Sequence, residues 1–103
     1  MISTFFLSIH ELPKNEKILI YGASESGLSA LNTIKRERKD IDVLFFLDTY
    51  KEGTFSGLAV HKPKHIFTHD IHYDRILVAS VYWYEIVHGL KKNVPMSMIS
   101  VLP

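Results

Sequence analysis

Residues 17–27 read Lys-Ile-Leu-Ile-Tyr-Gly-Ala-Ser-Glu-Ser-Gly, and this stretch decides the fold. Lys17 to Tyr21 is a short run of β-formers stopped by Gly22. Its continuous apolar character suits a strand buried on both faces of a parallel sheet. From Ser26 to Lys39 the period changes. Leu28, Leu31 and Ile34 recur at three-residue spacing with Ala30 beside them, which predicts a helix. Between strand and helix, Gly22 permits a tight turn and Gly27 lets the helix approach the sheet closely. The free N–H groups at the helix start, with the helix dipole, favour an anion there.

Working downstream, the helix ends in Lys35, Arg36, Arg38 and Lys39. Cations there complement the negative end of the dipole, so this charge run reads as a solvated helix end. Val43 to Leu47 predicts a second strand, ended by Asp48. Residues 49–56 are polar and predict a loop. Gly57 to Val60 supplies a short third strand, and residues 63–67 one helical turn. Ile76 to Ala79 predicts a fourth strand. Residues 81–92 predict a helix with Tyr84, Val87 and Leu90 in register, ended by Asn93 and Pro95. Residues 96–102 supply a fifth strand. Upstream, residues 1–12 predict a lead-in helix with Phe5, Phe6, Ile9 and Leu12 on one face, stopped by Pro13.

Strands alternating with helices predict βαβ units with right-handed crossovers. The expectation is one α/β domain over residues 1–103, three-layered and Rossmann-like. Its mostly parallel sheet has about five strands in the order 3-2-1-4-5.

The totals narrow the function. A chain of 103 residues, 47% hydrophobic and 22% charged, suits one globular domain. A net charge of +1 gives no electrostatic reason to bind nucleic acid or an acidic membrane. With no cysteine there is no disulfide framework, thiolate metal site or cysteine nucleophile. The start lacks a basic segment before its short apolar run, and no stretch approaches a bilayer span of roughly 20 residues. A soluble, cytoplasmic protein is expected.

A full dinucleotide fingerprint is G-x-G-x-x-G. Here Ser24 stands at the central position. Its side chain intrudes where a pyrophosphate comes nearest the backbone, while its hydroxyl can cap the helix or donate to a phosphate. Asp48 ends the second strand, about 20 residues beyond Gly27, where dinucleotide folds place an acid for the ribose. It favours NAD over a 2′-phosphorylated form, although Lys51 nearby blurs that preference. As an alternative, Asp48 only starts a turn. The candidate cofactor-binding set is Gly22, Ala23, Ser24, Ser26 and Gly27 for phosphates, Asp48 for ribose, and Ser80 at the end of the fourth strand.

Other groupings weigh less. His61, His65, His69 and His72 lie three or four apart, a spacing that can share a metal on a helix. Pro63 argues against a continuous helix, so an exposed polar connection is expected and no metal. Tyr82, Trp83 and Tyr84 follow the fourth strand, where a ring could stack on a base or partner or pack the helix onto the sheet. Neither a nucleophile elbow nor a P-loop is present. No catalytic residue is assigned.

The runs KILIYGASESG, VLFFLDTYKEGTFSGLAV and YDRILVAS together resemble the Rossmann-like N-terminal nucleotide-binding domains of bacterial polysaccharide-biosynthesis proteins. Such domains occur in nucleoside-diphosphate-sugar dehydratases and epimerases, and in related form ahead of sugar acyltransferases. The resemblance covers about residues 17–80. Gly22, Gly27 and Asp48 match its binding positions, and Gly57 and Val60 its later strand. Ser24 stands where glycine is usual, and Ala59 where proline is common. The resemblance implies NAD or a nucleotide-sugar as ligand, with the chemistry in a following domain or a partner chain. The Tyr-x-x-x-Lys pair of sugar-nucleotide dehydrogenases is absent, as is a hexapeptide-repeat body. The chain thus reads as an excised or stand-alone nucleotide-binding domain of a polysaccharide or sugar-modifying system, compatible with homo-oligomerisation. Three alternatives stay open. One is a ligand-free interaction module, marked by exposed Phe5, Phe6 or Trp83. Another is a coenzyme A-binding domain. The last is a small enzyme using Glu25, Ser80 or Glu85.

Overall fold

A computed structural model describes residues 5–103. Six strands form one sheet: β1 (Lys17–Tyr21), β2 (Asp42–Leu47), β3 (Gly53–Phe55), β4 (Leu58–His61), β5 (Arg75–Val78) and β6 (Ile99–Val101). Their order across the sheet is β3-β4-β2-β1-β5-β6. The helices are α1 (Glu25–Glu37), α2 (His65–Thr68) and α3 (Trp83–Leu90). All pairings are parallel except that of β3 with β4.

The alternation of side chains divides the core into two layers. Ile18 and Ile20 of β1, Phe46 of β2 and Leu77 of β5 face Ala30, Leu31 and Ile34 of α1. Leu19, Phe45, Leu47, Ile76 and Val78 point the other way, toward Ile66 of α2 and Val87 and Leu90 of α3. The central strands carry apolar residues on both faces because helices cover both faces. That is the three-layer arrangement expected from their unbroken hydrophobicity.

Two expectations are corrected. The five expected strands appear in the expected relative order, but a sixth, β3, joins antiparallel at the edge. Ser56 and Gly57, both with positive φ (51° and 84°), turn β3 directly into β4. Paired left-handed residues match the twist of a two-residue hairpin, so Gly57 belongs to the turn rather than the strand. Residues 53–55 carried no apolar alternation by which to read them. The lead-in helix is also absent from the residues described. The segment beginning at Phe5 runs alongside β6, with Phe6 bridged to Val101 in parallel and the Leu7 N–H donating to the Val101 carbonyl (3.1 Å). Only Ile9–Glu11 is helical, as a single 3-10 turn. Residues 1–4 of that expectation lie outside the described residues. Leu7, Ile9 and Leu12 are buried beneath α1, so tertiary packing set the local conformation.

The N-terminal end of the sheet is closed by paired polar groups. Arg75 donates to both carboxylate oxygens of Glu16 (2.8 and 3.2 Å) and to the Ser100 hydroxyl (2.7 Å). Asp74 accepts from the Lys17 N–H (2.8 Å). Among the described residues no helix is long and apolar enough to cross a membrane.

Candidate functional site

At the other end of the sheet, the carboxyl ends of β1, β2 and β5 open into a crevice of about 740 Å³. Open α/β sheets bind ligands in this position. Gly22, Ser24 and Ser26 line one side, and Asp48 to Lys51 another. Ser80 to Tyr82 follow β5, and Glu85, Ile86, Gly89 and Leu90 contribute the α3 wall. Pro63 and Phe67 approach from the α2 side.

The glycine turn is sterically required. Gly22 has φ +128°, and a Cβ there would strike the Ala79 carbonyl oxygen. A Cβ on Gly27 would land on the Gly22 carbonyl oxygen, with Phe46 also close at 3.2 Å. Helix α1 is thus seated directly on the end of β1. Gly27 itself is buried and does not line the crevice. Ser24 occupies the N-cap position in extended conformation (φ −153°, ψ −161°), but its hydroxyl makes no capping bond. The first helical bond is Leu28 N–H to the Ser24 carbonyl (2.9 Å). The amides of Glu25, Ser26 and Gly27 precede that bond, where a helix has no partners of its own.

The amides of Gly22 and Ala23 are occupied. Gly22 N–H donates to the Leu47 carbonyl (2.8 Å), and Ala23 N–H donates to Asp48 Oδ2 (3.0 Å). Of the five phosphate candidates, then, Gly22, Ser24 and Ser26 line the crevice and Ala23 and Gly27 do not, while the Gly22 and Ala23 amides are engaged within the turn.

Asp48 organises the opposite lip. Its Oδ1 accepts from the N–H groups of Tyr50 (2.9 Å) and Lys51 (3.0 Å). Burial pushes its carboxyl up, but the amides of Tyr50, Ala23 and Lys51 and the Lys51 ammonium outweigh burial. The net shift is below the ordinary value. Lys51 Nζ donates to the Ala23 carbonyl (2.8 Å), so acid and base together staple this lip to the glycine turn. Asp48 does start a turn, as its alternative reading held, and it also lines the crevice. Tyr21 on the floor bonds Thr49 (2.7 Å) through its hydroxyl, and burial raises its pKa. Ser80 lines the crevice and accepts from the Tyr82 N–H (3.0 Å).

Sequence reading missed Pro63, Phe67, Ile86 and Gly89. The signal was positional: each lies in or next to a helix that follows the end of a parallel strand. Of the aromatic triplet, Tyr82 lines the crevice and is exposed. Trp83 packs edge-to-face with Phe5 and Phe6 (centroids 6.1 and 5.3 Å), and Phe6 stays 48% exposed. Glu85 lines the crevice, and Glu25 does not. His61, His65 and His69 come together, but as a face-to-face stack rather than converging nitrogens. Among the described residues no group of three or more His, Asp or Glu side chains could hold a metal.

Comparison with known proteins agrees with this architecture. A family model described as "C2185-like, N-terminal" matches residues 14–100. The crystal structure of UDP-D-quinovosamine 4-dehydrogenase from Vibrio fischeri superposes with a TM-score of 0.58 at 28% identity. The match covers 84% of this chain and 75% of that one. No curated protein matches by sequence.

Proposed function

The chain belongs to the C2185-like N-terminal family, and on that premise we propose that its crevice binds a phosphate-bearing nucleotide, NAD or a nucleotide-sugar, within a sugar-modifying system. The observation that carries the reading is the first turn of α1. Its Glu25, Ser26 and Gly27 amides stand uncapped by Ser24, beside a crevice that Ser24 and Ser26 line. Uncapped amides and the positive end of a helix dipole attract a diphosphate.

The remaining residues suit the rest of such a ligand. A carboxylate has about four lone-pair sites, and Asp48 fills three of them internally, leaving one for a ribose hydroxyl. Phe67 and Ile86 offer apolar surface for a base. The likeness to a UDP-D-quinovosamine 4-dehydrogenase favours a sugar nucleotide or its redox cofactor. No residue is given a catalytic role. In this reading the chemistry comes from a further domain or a partner chain.

A thermal-shift series against NAD, NADP, coenzyme A, UDP-sugars and S-adenosylmethionine tests the reading. A ligand confined to the folded state adds about 2.7 kcal/mol at 100 times its Kd. Ser26→Asp is the control. Ser26 is exposed at the second position of α1, where a carboxylate favours the helix yet repels a phosphate. The expected result is a rise in Tm with one nucleotide class, abolished in Ser26→Asp while that variant melts no lower than the parent. Absence of any shift at millimolar ligand would leave the glycine turn as scaffolding in an interaction module.

A further inference from the structure

His61 at the end of β4 and His65 and His69 on and after α2 form a column of stacked imidazoles. The first two rings are 3.7 Å apart and within 3° of parallel; the second two are 4.0 Å apart at 24°. The buried Phe45 of β2 sets its ring edge-on against His61 and His65 (5.0 and 5.7 Å). We infer that this column is a proton-sensitive hinge pin: neutral, it holds α2 on the sheet, and protonated, it releases α2 and the Phe67 wall of the crevice.

Neutral imidazoles stack as flat aromatic rings. Charged imidazoliums at these separations repel, and a like charge close by disfavours protonation. Phe45 is uncharged. On the flanking chain Lys62 is a cation engaged by Glu52 (3.8 Å), and Lys64 is a further cation. Asp70 pairs with His72 (3.5 Å), and His10 is the other imidazole with a carboxylate, Glu37. Among the described residues, no carboxylate pairs with a ring of the column. The His69 ring is tied locally to the Thr68 hydroxyl (3.0 Å) and the His65 carbonyl (3.2 Å). The lever is short. Ile66, between the stacked His65 and the crevice-lining Phe67, is the one buried side chain of the four-residue α2. The His61 carbonyl accepts the Asp48 N–H (3.0 Å), so the base of the column also touches the other lip.

The sign follows from the ring at the centre. Burial, then His61, then His69 hold the His65 pKa below its ordinary value. The unfolded or released segment therefore binds more protons than the docked one. Docking is fully favourable above the ordinary histidine pKa of about 6.5 and is lost as pH falls below it.

The test is amide hydrogen exchange of the intact protein between about pH 7.5 and pH 5, corrected for intrinsic rates, in the parent and in His65→Phe. Phenylalanine keeps a flat ring in the column and removes its proton. Protection of the Phe67, Thr68 and His69 amides should fall by roughly tenfold for the parent as pH drops, and by much less in His65→Phe. His61→Phe gives the same reading should the first variant fail to fold. An equal fall in parent and variant, or none in either, would overturn the inference.

Discussion

The two ends of the sheet are built from the same strands to opposite specifications. At the N-terminal end, Arg75, Glu16, Ser100, Asp74 and Lys17 pair among themselves, and Arg75 is nearly sealed from solvent at 6% exposure. At the C-terminal end, Asp48 and Lys51 shape the lip, but the first amides of α1 are left without a cap, and Ser26 among them lines a crevice of about 740 Å³. Buried polar groups left unpaired cost stability, so native structures pair nearly all of them. Amides at an exposed helix start are satisfied by water, and in the proposed function a phosphate takes that water's place. One end holds the fold together, and the other is the proposed ligand site.

This contrast can be broken from either end. The largest effect is expected from Arg75→Ala. It strips the partner from a Glu16 carboxylate that is only 13% exposed and leaves the Ser100 hydroxyl without the guanidinium. Removing one partner of a buried pair costs about 3–5 kcal/mol. Denaturant unfolding should show that loss, while any nucleotide-induced gain in stability persists in the fraction that folds. A smaller loss, about 1–3 kcal/mol, is expected from Gly27→Ala, whose methyl group would press on the Gly22 carbonyl and force α1 away from β1. That variant should also lose nucleotide affinity, because the amides move with the helix. A Gly27→Ala protein as stable as the parent would show that the close approach of α1 is not needed.

How much of this was legible in the sequence differs between the same two ends. Gly22, Gly27 and the strand Lys17–Tyr21 announced the turn because local chemistry forces it: positive φ at one glycine and a backbone contact at the other. The relative order of the central strands followed from unbroken apolar runs such as Ile18–Tyr21 and Val43–Leu47. The N-terminal closure was not legible. Arg75 and Glu16 lie 59 residues apart and meet only through the parallel register of β1 and β5. Hairpin strand β3 carried no apolar period. Phe5, Ile9 and Leu12 fit a helical spacing, yet the segment runs out along β6 before a single 3-10 turn. At the site, residue identity told where ligand groups could go, but not which amides were already engaged. Ala23 is a phosphate candidate by position, and its N–H is held by Asp48. The histidine spacing was visible, but the parallel stack that it forms depends on how α2 folds back over Phe45.

The central claim is that the open amides of α1 are a phosphate seat, and amide chemical shifts read them directly. Uniformly ¹⁵N-labelled protein would be titrated with UDP and, separately, with NAD. The account predicts saturable shifts at Glu25, Ser26 and Gly27, spreading to Thr49 and Tyr82 and leaving Lys17, Asp74 and Arg75 unmoved. Amides of Glu25, Ser26 and Gly27 that stay in place up to millimolar concentrations of both nucleotides would contradict it.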